Sequence, residues 1–279
     1  MQVAPSAYWR YRAELKNPEL KSARAKRDAK LLPEISRVWQ ENFRVYGARK
    51  VWHELRRQGH SVARCTVERL MARHGMQGVR RGKVVKTTVA SDKALCPLDL
   101  VNRQFHADRP NFLWVADFTY VSTWQGWVYV AFIVDVFACC IVGWQVSNSM
   151  TSAFVLDALE QALCARKPSD KDELVHHSDR GSQYLSIRYT DRLIESGIEA
   201  SVGTTGDSYD NALAETINGL YKTELIHHRG PWKTKAAVEI ATLEWVDWFN
   251  KKRLLSTIGY IPPMEAEENY YKNVLSKEI

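Results

Sequence analysis

Between Phe112 and Asn148 the chain runs FLWVADFTYVST, WVYVAFIVDVF and ACCIVGWQVSN, three segments rich in Val, Ile and aromatic residues and broken by turn signals at Gln125-Gly126 and after Asp135. Such runs fit strands better than helices, and three in succession with short turns make an antiparallel meander. A helix is expected at 152–165, with Phe154, Leu156, Leu159 and Leu163 apolar, then a short strand at 173–177. Helices at 187–196, 210–227 and 236–251 follow, with a strand at 198–202 between the first two. The fold class is α/β, a mixed sheet flanked by helices. The longest apolar stretch, Trp127 to Trp144, is interrupted by Asp135 and falls short of the roughly 20 residues a membrane helix needs. The first residues carry no secretory pattern, so a cytoplasmic location is expected, and no membrane partner.

The front of the chain has another texture. From Leu31 to His74, Leu32, Ile35, Val38, Trp39 and Phe43 recur at helical steps, Val51, Trp52 and Leu55 continue after Gly47, and Val67, Leu70 and Met71 mark a third helix ending near Gly75. Three short helices with a Gly-containing turn fit a helix-turn-helix, and Arg64, Arg69 and Arg73 lie mostly off the apolar stripe of the third. An ordinary bundle with a solvated basic face has the same pattern. Charge separates the two: residues 1–100 hold 22 Lys and Arg against 9 Asp and Glu, and the remainder holds 17 against 23. A basic front half suits DNA phosphates, while an acidic back half repels them unless cations screen it. The expected organisation is a helical DNA-binding region at 1–79, a basic linker at 80–111 and a catalytic core at 112–279. Five scattered cysteines without a C-x-x-C pair indicate neither a disulfide framework nor a zinc ribbon.

Three carboxylates stand out. Asp117 sits inside the apolar run LWVADFTYV, where an ionised group is costly without a partner or metal. Asp179, in HHSDRGSQY, follows a short strand and so lies at its carboxyl edge, where mixed sheets bind ligands. Glu215, in SYDNALAETINGLYKTEL, shares a helix face with Asn218 and Lys222, which fall about 60° and 20° away, opposite Leu213. Each has an ordinary explanation: a turn cap, a pair with Arg180, a solvated helix face. Together they match what Mg²⁺ requires, oxygen ligands from a few carboxylates around a phosphoryl centre. Asp135, near a turn, and Asp207 and Asp210, at a helix start, are rivals better explained as caps.

At these residues the sequence resembles the DDE transposases of bacterial insertion sequence family three, OrfB products related to retroviral integrases. YGARKVWHEL resembles that family's helix-turn-helix, and WVADFTYV, HSDRGSQY, YDNALAETINGLYKTEL and GYIPPMEA resemble its integrase-core motifs. Thirty-five residues separate Asp179 from Glu215, the spacing that names the class, and Lys222 stands where the family has a basic DNA contact. The resemblance implies a ribonuclease H-like core in which Asp117, Asp179 and Glu215 are catalytic and ligate two Mg²⁺ ions, with Mn²⁺ as a substitute. It implies DNA contacts at Asn211 and Lys222, beside those of Arg64, Arg69 and Arg73. The implied activity is strand cleavage and strand transfer, in which water releases a 3′ hydroxyl that then attacks a second phosphodiester. The implied partners are double-stranded DNA, as element terminal repeats and target, further copies of the chain, and an OrfA product or OrfA-OrfB fusion. A DNA-binding regulator with an inert core, or a nuclease that cuts without joining, is the alternative. The family's usual basic residue at Cys139 or Cys140, and its His at Leu255, are absent.

Overall fold

A computed structural model describes residues 4–80, 107–168, 173–179, 181–202 and 212–276. The chain divides into two compact units, 1–79 and 80–279. The first is helical: α1 (Pro5–Lys16), a 3₁₀ turn (Pro18–Leu20), α2 (Ala23–Glu41), α3 (Ala48–Arg57) and α4 (Arg64–Arg73). Ser22 caps α2 by accepting from the Ala25 N–H at 3.2 Å. Ile35 and Val38 of α2, Val51 and Leu55 of α3, and Val67, Leu70 and Met71 of α4 are buried together with Tyr46. The helical periodicity read from the sequence therefore marks the core, except at its end. Helix α2 stops at Glu41, and Phe43 takes a positive φ in the turn that follows.

The second unit opens with β1 (Leu113–Thr123), β2 (Gly126–Asp135) and β3 (Cys140–Ser147), followed by α5 (Ser152–Arg166), β4 (Val175–Ser178), α6 (Ile187–Glu195) and β5 (Glu199–Val202). Then come α7 (Ala212–Tyr221), a π-helical turn (Lys222–Ile226), α8 (His227–Arg229), α9 (Lys235–Lys251), a 3₁₀ turn (Ser256–Ile258) and α10 (Pro263–Leu275). The strands form one sheet in the order β3-β2-β1-β4-β5, with the meander antiparallel and β4 and β5 parallel to β1. This is the ribonuclease H-like mixed sheet.

Helices cover both faces, which is why the meander reads as nearly continuous apolar runs instead of a strict alternation. On one side Trp114, Ala116, Ala131 and Ile133 pack with Phe154 and Leu159 of α5 and Tyr189 and Leu193 of α6. On the other, Phe132 meets Tyr221 of α7 and Trp245 of α9 at ring-centroid distances of 5.0 and 5.9 Å. Ion pairs fasten the periphery. Arg166, at the end of α5, donates twice to Glu267 of α10 at 2.8 Å, and the buried Arg253 grips Glu224 of the π turn, with Nε 2.9 Å from Oε2.

Strand β3 approaches α5 very closely. A Cβ added at Gly143 would lie 2.2 Å from the Ala158 carbonyl oxygen and 3.0 Å from the Ala162 Cβ. Gly143→Ala should therefore force the strand and helix apart at a cost of about 1–3 kcal/mol. The expected outcome is a thermal midpoint several degrees lower; an unchanged midpoint would contradict this packing.

Candidate active site

Sheet register brings the first two carboxylates together. Ala116 of β1 pairs with Ser178, the last residue of the parallel β4, so Asp117 and Asp179 come next on neighbouring strands of the sheet. Adjacent strands lie only about 4.8 Å apart. Asp117 is itself paired across the sheet with Phe132, on which Tyr221 of α7 packs, and this contact sets α7 against β1 with Glu215 on its first turn.

Protein closely surrounds Asp117, although part of the residue remains accessible to solvent. Its Oδ1 accepts from the Phe118 N–H at 2.8 Å and its Oδ2 from the Asn218 Nδ2 at 2.9 Å. These bonds favour the ionised form but do not prevail. Loss of hydration, followed by the charges of Asp179 and Glu215, pushes the Asp117 carboxyl up to about 7. Asp179 is also raised by burial, although its Oδ1 accepts from the Gly181 N–H at 3.0 Å and His177 acts in the opposite direction. Any side chain at position 181 would crowd this loop, because its Cβ would stand 2.9 Å from that same Oδ1. Glu215 is raised by partial desolvation and by Asp179.

The polar stripe of α7 is only partly turned to solvent: Glu215, at its start, is exposed. Asn218 is buried and directed at Asp117, and Lys222, which opens the π turn, is half-buried with its Nζ 4.5 Å from the centre of the Tyr120 ring. Burial lowers the Lys222 ammonium while the charge of Asp117 opposes that change. The most buried positions of α7 are Ala214, Ile217, Asn218 and Tyr221, with Leu213 and Leu220 less so. The helix is rotated towards β1 relative to the sequence expectation. Asn218 is the site residue that sequence reasoning placed on the correct face without assigning it a partner; its position one turn after Glu215 was the available signal.

Of the other expected residues, Asn211, Asp207 and Asp210 lie outside the described residues. Asp135 acts as a cap, accepting from the Asn111 N–H at 2.7 Å and the Phe137 N–H at 3.0 Å. In the helical unit Arg73 is exposed, Arg64 makes a surface pair with Glu68 at 2.9 Å, and Arg69 donates to both oxygens of Asp28 at 2.8 and 2.9 Å.

The residues present suit a divalent cation. Three carboxylates disfavour one another's charge, and among the described residues no Lys, Arg or His forms an ion pair with any of them. Asn218 Oδ1 is buried without a hydrogen-bond partner beside Asp117, so a further oxygen donor stands at the site. Among the described residues no three His, Cys, Asp or Glu side chains are already drawn into a coordination sphere, so binding would require the side chains to converge.

A family model for the integrase core domain matches residues 107–208, a second integrase core domain model matches 196–263, and one for an HTH-like domain matches 26–84. The transposase for insertion sequence element IS629 of Shigella sonnei is 61% identical over 274 residues, which cover 98% of this chain and 91% of that protein. The transposase for insertion sequence element IS3411 of Escherichia coli is 60% identical over 168 residues, 60% of this chain and 70% of that one. Among solved structures, the HTLV-2 integrase catalytic core domain in complex with magnesium, in its trimeric form, aligns with 57% of this chain and 98% of its own at 17% identity and a TM-score of 0.46.

The raised carboxyl of Asp117 has a stability consequence. A carboxyl that titrates near 4 when unfolded and near 7 when folded binds its proton more tightly in the native state, so stability falls as pH rises through that window. A cation bound to the ionised form reverses the loss. Melting in EDTA should therefore give a lower midpoint at about pH 8 than at about pH 5, and Mg²⁺ should raise the midpoint more at the higher pH. Asp117→Asn should weaken both effects; if Mg²⁺ still stabilises that variant fully, Asp117 does not hold the ion.

Proposed function

Because the chain belongs to the insertion-sequence transposases built on an integrase core, we propose that Asp117, Asp179 and Glu215 are the carboxylates with which it cuts and joins DNA. The family is a polynucleotidyl transferase family, and DNA is its substrate. The observation that carries the assignment is the register Ala116↔Ser178, which sets two aspartates side by side under the helix bearing Glu215, all three raised by burial and two of them also by a neighbouring carboxylate.

In this reading the three carboxylates hold two Mg²⁺ ions, replaceable by Mn²⁺. Divalent ions in such a site activate an attacking oxygen and stabilise the leaving oxygen of a phosphodiester. The chain's own groups set the stage. The Phe118 N–H and Asn218 hold Asp117 from two directions, fixing one of the carboxylates on which the ions would assemble. The Gly181 N–H holds Asp179 at the open end of β4. Lys222 brings a cation beside the acidic centre, where a DNA phosphate would otherwise be repelled. Asn211 belongs to the same contact set by family resemblance.

Phosphate contacts in the helical unit rest on Arg73 and Arg64, the latter's surface pair being weak enough to exchange for a phosphate. Arg69 instead braces α4 against α2 through Asp28. The element's terminal repeats are the specific sites and target DNA is the second substrate. Synapsis of two ends calls for at least two copies of the chain, and an OrfA segment would supply a further DNA-binding part.

Glu215→Gln should fold and bind end DNA yet lose Mg²⁺-dependent cleavage and joining on the order of ten-thousandfold, the scale of losing one member of a catalytic unit. The assay is a plasmid carrying the element, incubated with Mg²⁺ or EDTA, with the junctions sequenced. Strand transfer by that variant would remove Glu215 from the catalytic set, and cleavage without joined products would favour a nuclease. Arg73→Ala should weaken binding to any duplex and flatten its salt dependence by about one ion.

A further inference from the structure

The β1–β2 hairpin extends well past the rest of the sheet. Strand β4 pairs with β1 only over Leu113–Ala116, whereas β2 follows β1 as far as Thr123. On this overhang Tyr120, Trp124 and Trp127 are 47%, 69% and 57% exposed. They form a cluster. The Trp127 ring meets Tyr120 edge-on at 5.2 Å, and the Trp124 N–H at the hairpin tip donates to the Trp232 carbonyl at 3.0 Å, fixing the tip against the segment after α8. Trp232 is in turn held by its Nε1, which donates to the Ile226 carbonyl at 3.0 Å.

Two ammonium groups stand over these rings, Lys222 at 4.5 Å from the Tyr120 centroid and Lys233 at 5.4 Å from that of Trp124. The rings, Lys222, His227 and Pro231 line a groove of about 600 Å³ with, among the described residues, no carboxylate in its wall. Lys222, which lines the groove, is also the cation that feels the charge of Asp117.

Single exposed aromatics are ordinary, but a fixed cluster of them marks a binding surface. The choice of occupant follows from the mixture. An apolar peptide has no use for two cations, and paired DNA keeps its base faces stacked inside the duplex. Unpaired nucleotides present a flat π face and a phosphate together, the combination that exposed Trp rings interleaved with Lys recognise. We propose that this groove receives unpaired nucleotides of a DNA strand at the catalytic centre, stacking bases on Trp124 and Trp127 and pairing phosphates with Lys222 and Lys233. The enzyme would thereby hold a duplex end frayed. The inference rests on the assignment of Asp117, Asp179 and Glu215 as the DNA-cutting carboxylates.

The test uses the full chain in EDTA, with a fluorescent duplex carrying three unpaired nucleotides at one strand end and a fully paired duplex of the same sequence. The wild type should prefer the frayed duplex about tenfold, the scale of one stacked base. Trp124→Ala and Trp127→Ala should each reduce that ratio, and Trp124→Phe and Trp127→Phe should keep most of it. 2-Aminopurine at the unpaired positions should be quenched by the wild type and less by the Ala variants. Equal affinity of the wild type for the two duplexes would overturn the proposal, whatever the variants do. So would Ala variants that keep the preference, or that change only the sedimentation of the protein, which would make the groove a contact between copies of the chain. A parallel Mg²⁺ cleavage assay separates the two readings. Cleavage that depends on Glu215 without any frayed-end preference refutes the groove alone, whereas cleavage by Glu215→Gln refutes the triad while the binding ratio, measured without metal, still stands or falls by itself.

Discussion

Crowding of like charge around Asp117 is the constraint on which the catalytic unit turns. A strand rich in Val, Trp and Phe would be more stable with an apolar residue there, and burying a carboxylate beside two others adds repulsion to desolvation. The fold keeps it by surrounding it with specific donors: the next backbone N–H, and an amide delivered by α7. Helix α7 is therefore more than a cover for the sheet. Its buried Ile217 and Tyr221 seat it, and the seat determines where Glu215 and Asn218 arrive.

The segment after α7 serves the same end. Where the helix widens into the π turn, Lys222 emerges beside the carboxylates and over Tyr120, while Glu224 and Leu225 turn inwards. A buried carboxylate at position 224 would be as costly as Asp117, but Arg253 neutralises it with a multiply bonded guanidinium. The contrast between the two acids is informative. One is satisfied within the protein by an opposite charge; the other has, among the described residues, only neutral donors, and so retains capacity for a cation. Asp135 is a third case, raised by burial to about 6 but occupied by two backbone N–H groups and close to the Arg166–Glu267 pair.

Much of this was legible in the chain. The meander, α5, α6, α9 and three of the four helices of the basic unit stand close to where periodicity and turn residues place them, although these signals do not mark α1, α2 begins earlier, at Ala23, and the helix expected at 210–227 is broken by a π turn. Departures fall where local signals are weak: the end of α2, where Phe43 continues the pattern but the backbone turns, and α7, whose buried face is centred on Ala214, Ile217, Asn218 and Tyr221, with Leu213 and Leu220 less enclosed than their apolar character suggests. Arg69 illustrates the same limit. Its place on α4 is visible in the sequence, but the Asp28 that takes its guanidinium lies 41 positions away.

The sequence by itself determined the kinds of element, the apolar faces available to a core, the separation of basic from acidic halves and the presence of three acids of a type that binds divalent ions. These follow from composition and short-range spacing, which are properties of the unfolded chain as much as of the folded one. Only the tertiary structure decided which acids share a field. That depends on strand register, Ala116 against Ser178, and on the rotation of one helix about its axis, the latter accompanied by the packing of Phe132, Tyr221 and Trp245 from distant segments. Coulomb interaction falls with distance through space and takes no account of distance along the chain.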